Sequence, residues 1–177
     1  MKKLFLIPIT FLLITALSGC IPEQIEIPEA NVIQDERLGY TINYPEGWTY
    51  NVTTSEVLVI TKGPDSIDPV IQIQKYKKDQ QNQSAEQVLQ RFKGNISVTK
   101  AEFSAEKDFK IDAADGTKLV GKQIVTELPD MGVKMWIVIV ENAKGDTIYQ
   151  WLYNSTTPNY KSNLDIAEDI LDSWQIN

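Results

Sequence analysis

The chain has 177 residues, with 17 Lys and Arg against 24 Asp and Glu, a formal net charge of −7, and 42% hydrophobic residues. That length and apolar content suit one ordinary domain with a sizeable core, and the acidic balance repels phosphate backbones, so nucleic acid is not an expected partner. Histidine is absent and Cys20 is the only cysteine, which excludes imidazole general-base chemistry, a His/Cys zinc site and an intrachain disulfide.

At the start, Lys2 and Lys3 precede an apolar run from Leu4 to Ala16, and the small residues Ser18 and Gly19 stand before Cys20. A basic start, an apolar run too short to span a bilayer with ordinary flanks, and small residues before the cut describe a secretory signal rather than a transmembrane helix. The stretch Leu17-Ser18-Gly19-Cys20 resembles the lipobox of bacterial lipoproteins. The resemblance implies that residues 1–19 are a signal peptide that is removed. It also implies that Cys20, the lipid-attachment residue, carries a diacylglyceryl group at the new N-terminus, on the periplasmic or cell-surface side of the membrane. Lipidation would also consume the only thiol. Without residues 1–19, which hold Lys2 and Lys3, 15 basic residues face 24 acidic ones, a net charge of −9. Such a surface adds no attraction to anionic lipid, so contact with the membrane should come from the lipid alone.

Residues 20–36 are expected to be the lipidated N-terminus and a flexible tether, because Pro22, Glu23, Glu26, Pro28 and Glu29 break any helix or strand pattern. Residues 37–177 are expected to form a single domain. Tyr40, Ile42 and Tyr44 alternate with polar residues as in a half-buried strand, and Pro45-Glu46-Gly47 supplies turn chemistry before Trp48, which should fold back on the core. Strands are predicted over Val57–Ile60, closed by Gly63-Pro64, and over Val70–Tyr76, with Ile71 and Ile73 facing inward. After a polar loop from Lys77 to Gln83, Ser84 and Gln87 form a capping-box pattern. Ala85, Val88, Leu89 and Phe92 then make one apolar helical stripe that should cover a sheet face, ending near Gly94.

Further strands are predicted over Ile96–Thr99, Phe109–Ala113 and Leu119–Thr126, with Asp115-Gly116 as the hairpin turn between the last two. Val133–Val140 is apolar on both faces from Trp136 onward and should be a central strand. Thr147–Asn154 places Ile148 and Leu152 on one face and Tyr149, Trp151 and Tyr153 on the other. Tyr160, Leu164, Ala167, Leu171 and Trp174 mark one side of a C-terminal helix. Strands joined by short turns, interrupted by one helix and closed by another, give an α+β fold with a central, mainly antiparallel sheet flanked by helices.

From Leu38 to Ile176 the chain is similar to PsbP-like domains. The likeness is carried by the strand and Pro-x-x-Trp of Gly39–Trp48, by the hairpin between Asp112 and Leu119, and by the closing Ile170-Leu171-Asp172-Ser173-Trp174. It implies an α/β/α sandwich. The best-known members of that family are extrinsic subunits supporting the oxygen-evolving side of photosystem II, and many prokaryotic relatives are envelope lipoproteins. Members that bind metal use histidine among other groups, so no metal, cofactor or photosystem-contact residue is carried over to this chain.

The candidate sites are few. Asp112, Asp115 and Gly116 lack the EF-hand spacing and its distal glutamate and read as a plain turn. Asp165, Glu168, Asp169 and Asp172 lie at helical spacing and read as a solvated face. Asp65 with Asp68, and Glu102 with Glu106, are the nearest thing to paired carboxylates for acid/base work, and such pairs are common on acidic surfaces. The four N-x-S/T triplets, at Asn51, Asn82, Asn95 and Asn154, are taken as incidental. Tyr149, Trp151 and Tyr153 are the one candidate partner-binding cluster; the competing reading buries them beneath the C-terminal helix. The expected function is a monomeric, lipid-anchored, extracytoplasmic, non-enzymatic module without a cofactor, binding or scaffolding an envelope or membrane protein. The alternatives are a photosystem II accessory protein in a cyanobacterial thylakoid lumen and a small carboxylate-based hydrolase.

Overall fold

The computed structural model describes residues 31–54, 56–79 and 84–177; the expected signal peptide, Cys20 and the tether up to residue 30 lie outside them. In chain order the elements are β1 (Asn31–Asp35), β2 (Tyr40–Tyr44), β3 (Thr49–Thr54), β4 (Val57–Thr61), β5 (Val70–Lys77), α1 (Ala85–Ile96), β6 (Glu102–Phe103) and β7 (Lys107–Asp112). They continue with β8 (Lys118–Leu128), β9 (Val133–Glu141), β10 (Thr147–Thr156), α2 (Thr157–Tyr160), α3 (Leu164–Asp172) and β11 (Gln175–Ile176). An eight-stranded antiparallel sheet runs in the order β3-β4-β5-β10-β9-β8-β6, with β7 also paired to β8. A smaller sheet has the order β1-β2-β11.

Two packed layers enclose the large sheet, one on each face. On one face α1 lays Ala85, Val88 and Leu89 against Ile124, Ile137, Ile139 and Ile148. On the other, α3 and the small sheet cover Leu58, Ile60, Ile71, Ile73, Val138, Val140, Tyr149, Trp151 and Tyr153. Ile137 to Val140 are all fully buried, as a strand apolar on both faces requires. Strand β10 keeps the parity its sequence shows, with Trp151 opposite Val138 and Leu152 opposite Ile137. The result is the α+β arrangement, mainly antiparallel and flanked by helices, with the small sheet as an addition to one outer layer.

Local chemistry explains most ends and turns. Ser84 takes the extended N-cap conformation and its hydroxyl accepts from the Gln87 backbone N–H. Gly47 sits at φ +79°, which lets the Trp48 N–H donate to the Pro45 carbonyl at 3.2 Å and turns the indole into the core, where 7% of it is exposed.

Three parts of the sequence reading change. Asn31–Asp35, expected as tether, is a strand paired with β2, because Ile33 buries its side chain opposite Ile42 while its neighbours stay outside. Ile96–Thr99 is not a strand: α1 runs through Gly94 to Ile96 and a 3₁₀ turn follows over Ser97–Thr99. Phe92 and Ile96 extend the stripe of Val88 and Leu89 into the same core, and that packing overrides the β preference of Ile, Val and Thr. The left-handed residue is Lys100, at φ 55°, rather than Gly94. Strands β6 and β11, two residues each, are too short to carry a pattern, and β3, Thr49–Thr54, is mostly polar with only Tyr50 and Val52 apolar.

A candidate binding groove on the aromatic face

Where α3 stops short of the edge of the large sheet, a groove of about 390 Å³ opens to solvent. Its floor is the outer part of β8 and β9, with Val125 opposite Trp136 in the ladder. Trp136 is held from two sides: its indole N–H donates to Gln123 Oε1 at 3.0 Å, and its ring meets the buried Trp151 edge-on at 5.3 Å between centroids. A half-buried aromatic ring with both its hydrogen bond and its packing supplied from within the domain is preorganised to receive an apolar group.

One wall comes from α2 and α3 and the other from the β6–β7 connection. Tyr160, Leu164 and Glu168 line the helix side. Tyr160 is placed by Tyr153, whose hydroxyl donates to the Tyr160 carbonyl at 2.8 Å while the two rings pack 4.9 Å apart. Ser104 holds the other wall against the sheet, its N–H donating to the Val125 carbonyl at 2.8 Å and its hydroxyl accepting from the Val125 N–H at 3.0 Å. Two amines complete the rim. Lys134 lies 5.2 Å from the centre of the Tyr160 ring and 3.6 Å from Glu127, whereas Lys107 is exposed and belongs to none of the ion pairs among the described residues. Glu127 beside Lys134 and Glu168 on the helix wall set two carboxylates against these amines, so the rim carries both signs, and Lys107 is its amine outside any ion pair among the described residues.

The residues singled out from sequence lie elsewhere, apart from Glu168. Tyr149, Trp151 and Tyr153 do share a face, but they are 2%, 0% and 0% exposed beneath α3 and the small sheet, so they cannot be the partner-binding cluster. Burial pushes the Tyr149 phenol up to about 12, and Tyr40 and Tyr160 in the same direction. Asp112 is paired with Lys118, and Asp115 accepts from the Thr117 N–H at 2.9 Å, an Asx turn closing the β7–β8 hairpin. Asp165, Glu168, Asp169 and Asp172 are exposed along α3.

The carboxylate pairs are divided between structural tasks. Glu106 takes the Lys93 amine at 2.7 Å, which holds its carboxyl below the usual range, while Glu102 is exposed on β6. Asp65 is exposed. Asp68 instead stitches the β4–β5 loop to the end of β10: it accepts from the Ser155 hydroxyl at 2.6 Å, from the Thr156 N–H at 3.1 Å and hydroxyl at 2.6 Å, and from the Asn159 amide at 2.8 Å. Burial opposes its ionisation, yet these four donors together hold the carboxyl below its ordinary range. Among the described residues no group of three or more His, Cys, Asp and Glu is placed to hold a metal ion, and no helix is long and apolar enough to cross a membrane.

With the geometry in view, similarity to known proteins bears on the fold. The solution structure of cyanobacterial PsbP, CyanoP, from Synechocystis sp. PCC 6803 aligns over 91% of this chain and 99% of its own, at 15% identity and a TM-score of 0.59. The fold is PsbP-like. The Saccharomyces cerevisiae Ran-binding protein Mog1p shares it less closely, over 84% of this chain and 96% of its own, at 10% identity and a TM-score of 0.53. No family profile and no curated protein matches the chain. At such identities the likeness reaches the backbone and transfers no residue role.

Proposed function

We propose that this chain is a non-enzymatic binding module, anchored through a lipid on Cys20 to the extracytoplasmic face of a bacterial membrane, and that its groove holds an extended segment of another envelope or membrane protein. The observation that carries the reading is the groove itself: Trp136 fixed by Gln123 and Trp151 at its floor, with the Lys107 amine at its rim and in no ion pair among the described residues. At about 390 Å³ the groove is at the lower end of the range of ligand pockets, roughly 300 to 1,000 Å³, and it is open rather than enclosing. A site that leaves most of a small molecule in water suits a segment of a larger chain better. The complementary segment sets an apolar side chain on Trp136 and an acidic one beside Lys107.

A protein-binding use of this fold has a precedent in the Ran-binding protein, although no contact residue is transferred from it. Association with photosystem II, which the family resemblance suggests, is a special case of the same reading, and a non-photosynthetic host removes it.

The test is capture from detergent-solubilised membranes of the source cells, with wild-type protein and the Lys107→Glu variant side by side. Lys107 is exposed and in no ion pair among the described residues, so its reversal leaves the fold intact. The reading expects a membrane protein retained by the wild type and at least tenfold depleted with Lys107→Glu. Equal retention by both would remove the groove from the account.

A further inference from the structure

We infer that the end of the sheet carrying Ile67 and Met131 rests in the interfacial zone of the bilayer that holds the lipid anchor, so that the groove is presented beside the membrane surface. The inference rests on the proposed lipidation of Cys20. The strand register shows which loops share that end. Asn31, where the described chain begins, is opposite Tyr44, and the turn after Tyr44 leads into Thr49, which is opposite Thr61. Thr61 is opposite Val70, Val70 opposite Asn154, and Asn154 opposite Met135, two residues into β9. The entry of the tether, the β4–β5 loop and the β8–β9 turn therefore lie at one end of the molecule.

A continuous seam makes that end a single surface. The Asp68 carboxylate accepts from the Thr156 N–H and hydroxyl, and the Thr157 N–H donates to the Gly132 carbonyl at 2.8 Å. Ile67 precedes Asp68 and is 89% exposed; Met131 precedes Gly132 and is 61% exposed. Among the described residues the exposed large hydrophobic side chains are Val32, Tyr50, Ile67, Val120 and Met131. Val32 and Tyr50 are the second residues of β1 and β3, both beginning at this end, so Val120 alone lies elsewhere. Single exposed apolar residues need no explanation, but four gathered at the end where a lipidated tether enters do.

The reach of the tether selects this end over the other. Ten residues, Ile21 to Ala30, separate Cys20 from Asn31, and a chain of that length reaches about 36 Å at most. The sheet is roughly 33 Å long, judged from the ten residues of β10 at about 3.3 Å each. Bringing the opposite end to the bilayer would require a tether stretched close to its limit, whereas the Ile67 end touches it with the tether relaxed. Among the described residues that opposite end offers Asn142, Lys144 and Asp146 and the Asp115 turn, polar groups with Val120 as the single exposed large hydrophobic side chain towards that side. Asp65 and Asp130 stand beside the apolar tips, so the contact is apolar rather than electrostatic and should not weaken with salt. It orients the domain and does not replace the anchor, and it revises the expectation from charge that contact with the membrane comes from the lipid alone. Lys134 and Trp136 lie within four residues of the start of β9 at this same end, which places the groove about 10 Å from the bilayer and makes a juxtamembrane segment the natural occupant.

Full-length lipidated protein in phosphatidylcholine vesicles tests this, with a polarity-sensitive fluorophore on Ile67→Cys, Met131→Cys or Lys144→Cys and a quencher carried on the lipid. Acylation of Cys20 leaves each introduced thiol as the only one. Labels at 67 and 131 should shift to the blue and be quenched at least threefold more than the label at 144, unchanged by 0.5 M salt on the order of a threefold shorter Debye length than at 0.05 M. Protein that floats with the vesicles but shows equal quenching at all three positions overturns the orientation alone. Protein that does not float, and whose Cys20→Ser variant behaves identically, overturns the anchoring and the orientation with it.

Discussion

The two faces of the large sheet are built from different side chains for a reason that lies in what covers them. Under α1 the buried centre is without rings, Val88 and Leu89 on Ile124, Ile137, Ile139 and Ile148, with Tyr76, Phe92 and Phe103 only partly buried against it, and a helix with a regular stripe seats evenly on that surface. The other face is covered piecemeal, by the four residues of α2, the nine of α3 and the small sheet. Large rings bridge the gaps: Tyr40, Tyr149 and Trp174 meet edge to face, with centroids 5.7 to 6.1 Å apart, and Trp136 leans on Trp151. Where that cover ends, the groove begins. A continuous cover thus leaves a closed face, and an interrupted one leaves room for a partner.

Substitutions separate the two faces. Trp151→Ala removes a fully buried indole from the centre of the aromatic face and should cost about 3 to 5 kcal/mol, read as a lowered denaturant midpoint. Alkali should act on the same face. Burial raises Tyr149 to about 12 and moves Tyr40 and Tyr160 upward as well, so the neutral phenols favour the folded chain. Their contribution is whole below pH 10, the value in the unfolded chain, and declines as pH rises from there through 12; near-UV spectra against pH would follow the loss.

Asp68→Ala should cost about 2 to 4 kcal/mol, because four donors at the β10–α2 junction lose a charged acceptor. The lowered carboxyl of Asp68 stabilises the fold fully above the ordinary aspartate value and loses that contribution as the pH falls from there through its lowered value in the folded chain, so the variant should show a shallower acid limb in a stability-against-pH curve than the wild type. On the α1 side, Ser84→Ala removes one N-cap and should cost about 1 kcal/mol, visible as faster amide exchange in the first turn of α1.

These contrasts also show what a sequence of this kind makes legible. Strand β9 announced itself because Trp136 to Val140 leave no polar face, and β10 because a strict alternation of rings and aliphatics has only one register that buries both. The aromatic cluster on β10 was visible too, but whether Tyr149, Trp151 and Tyr153 face a partner or a helix depends on α3 and the small sheet returning over them, and β11, two residues long, has no periodicity to reveal that return. Ile96 to Thr99 misled for the complementary reason: β-branched residues look like a strand until the apolar stripe of α1 is followed one turn further. The groove was hidden because it is assembled from Lys107, Gln123, Trp136 and Glu168, which neighbour one another only through sheet pairing and the packing of α3. Its one local sign was Trp136 heading an otherwise aliphatic run.

The central claim is that the open part of the aromatic face, and not the face under α1, receives a partner. Site-specific photocrosslinking in the source cells addresses it directly, with a photoreactive residue at Lys107 on the groove rim or at Gly94 on the outer side of α1, both exposed, the second with open space where a side chain would stand. The account predicts a covalent adduct with a membrane protein from position 107 and none from position 94. An adduct from position 94 with none from position 107 would contradict it.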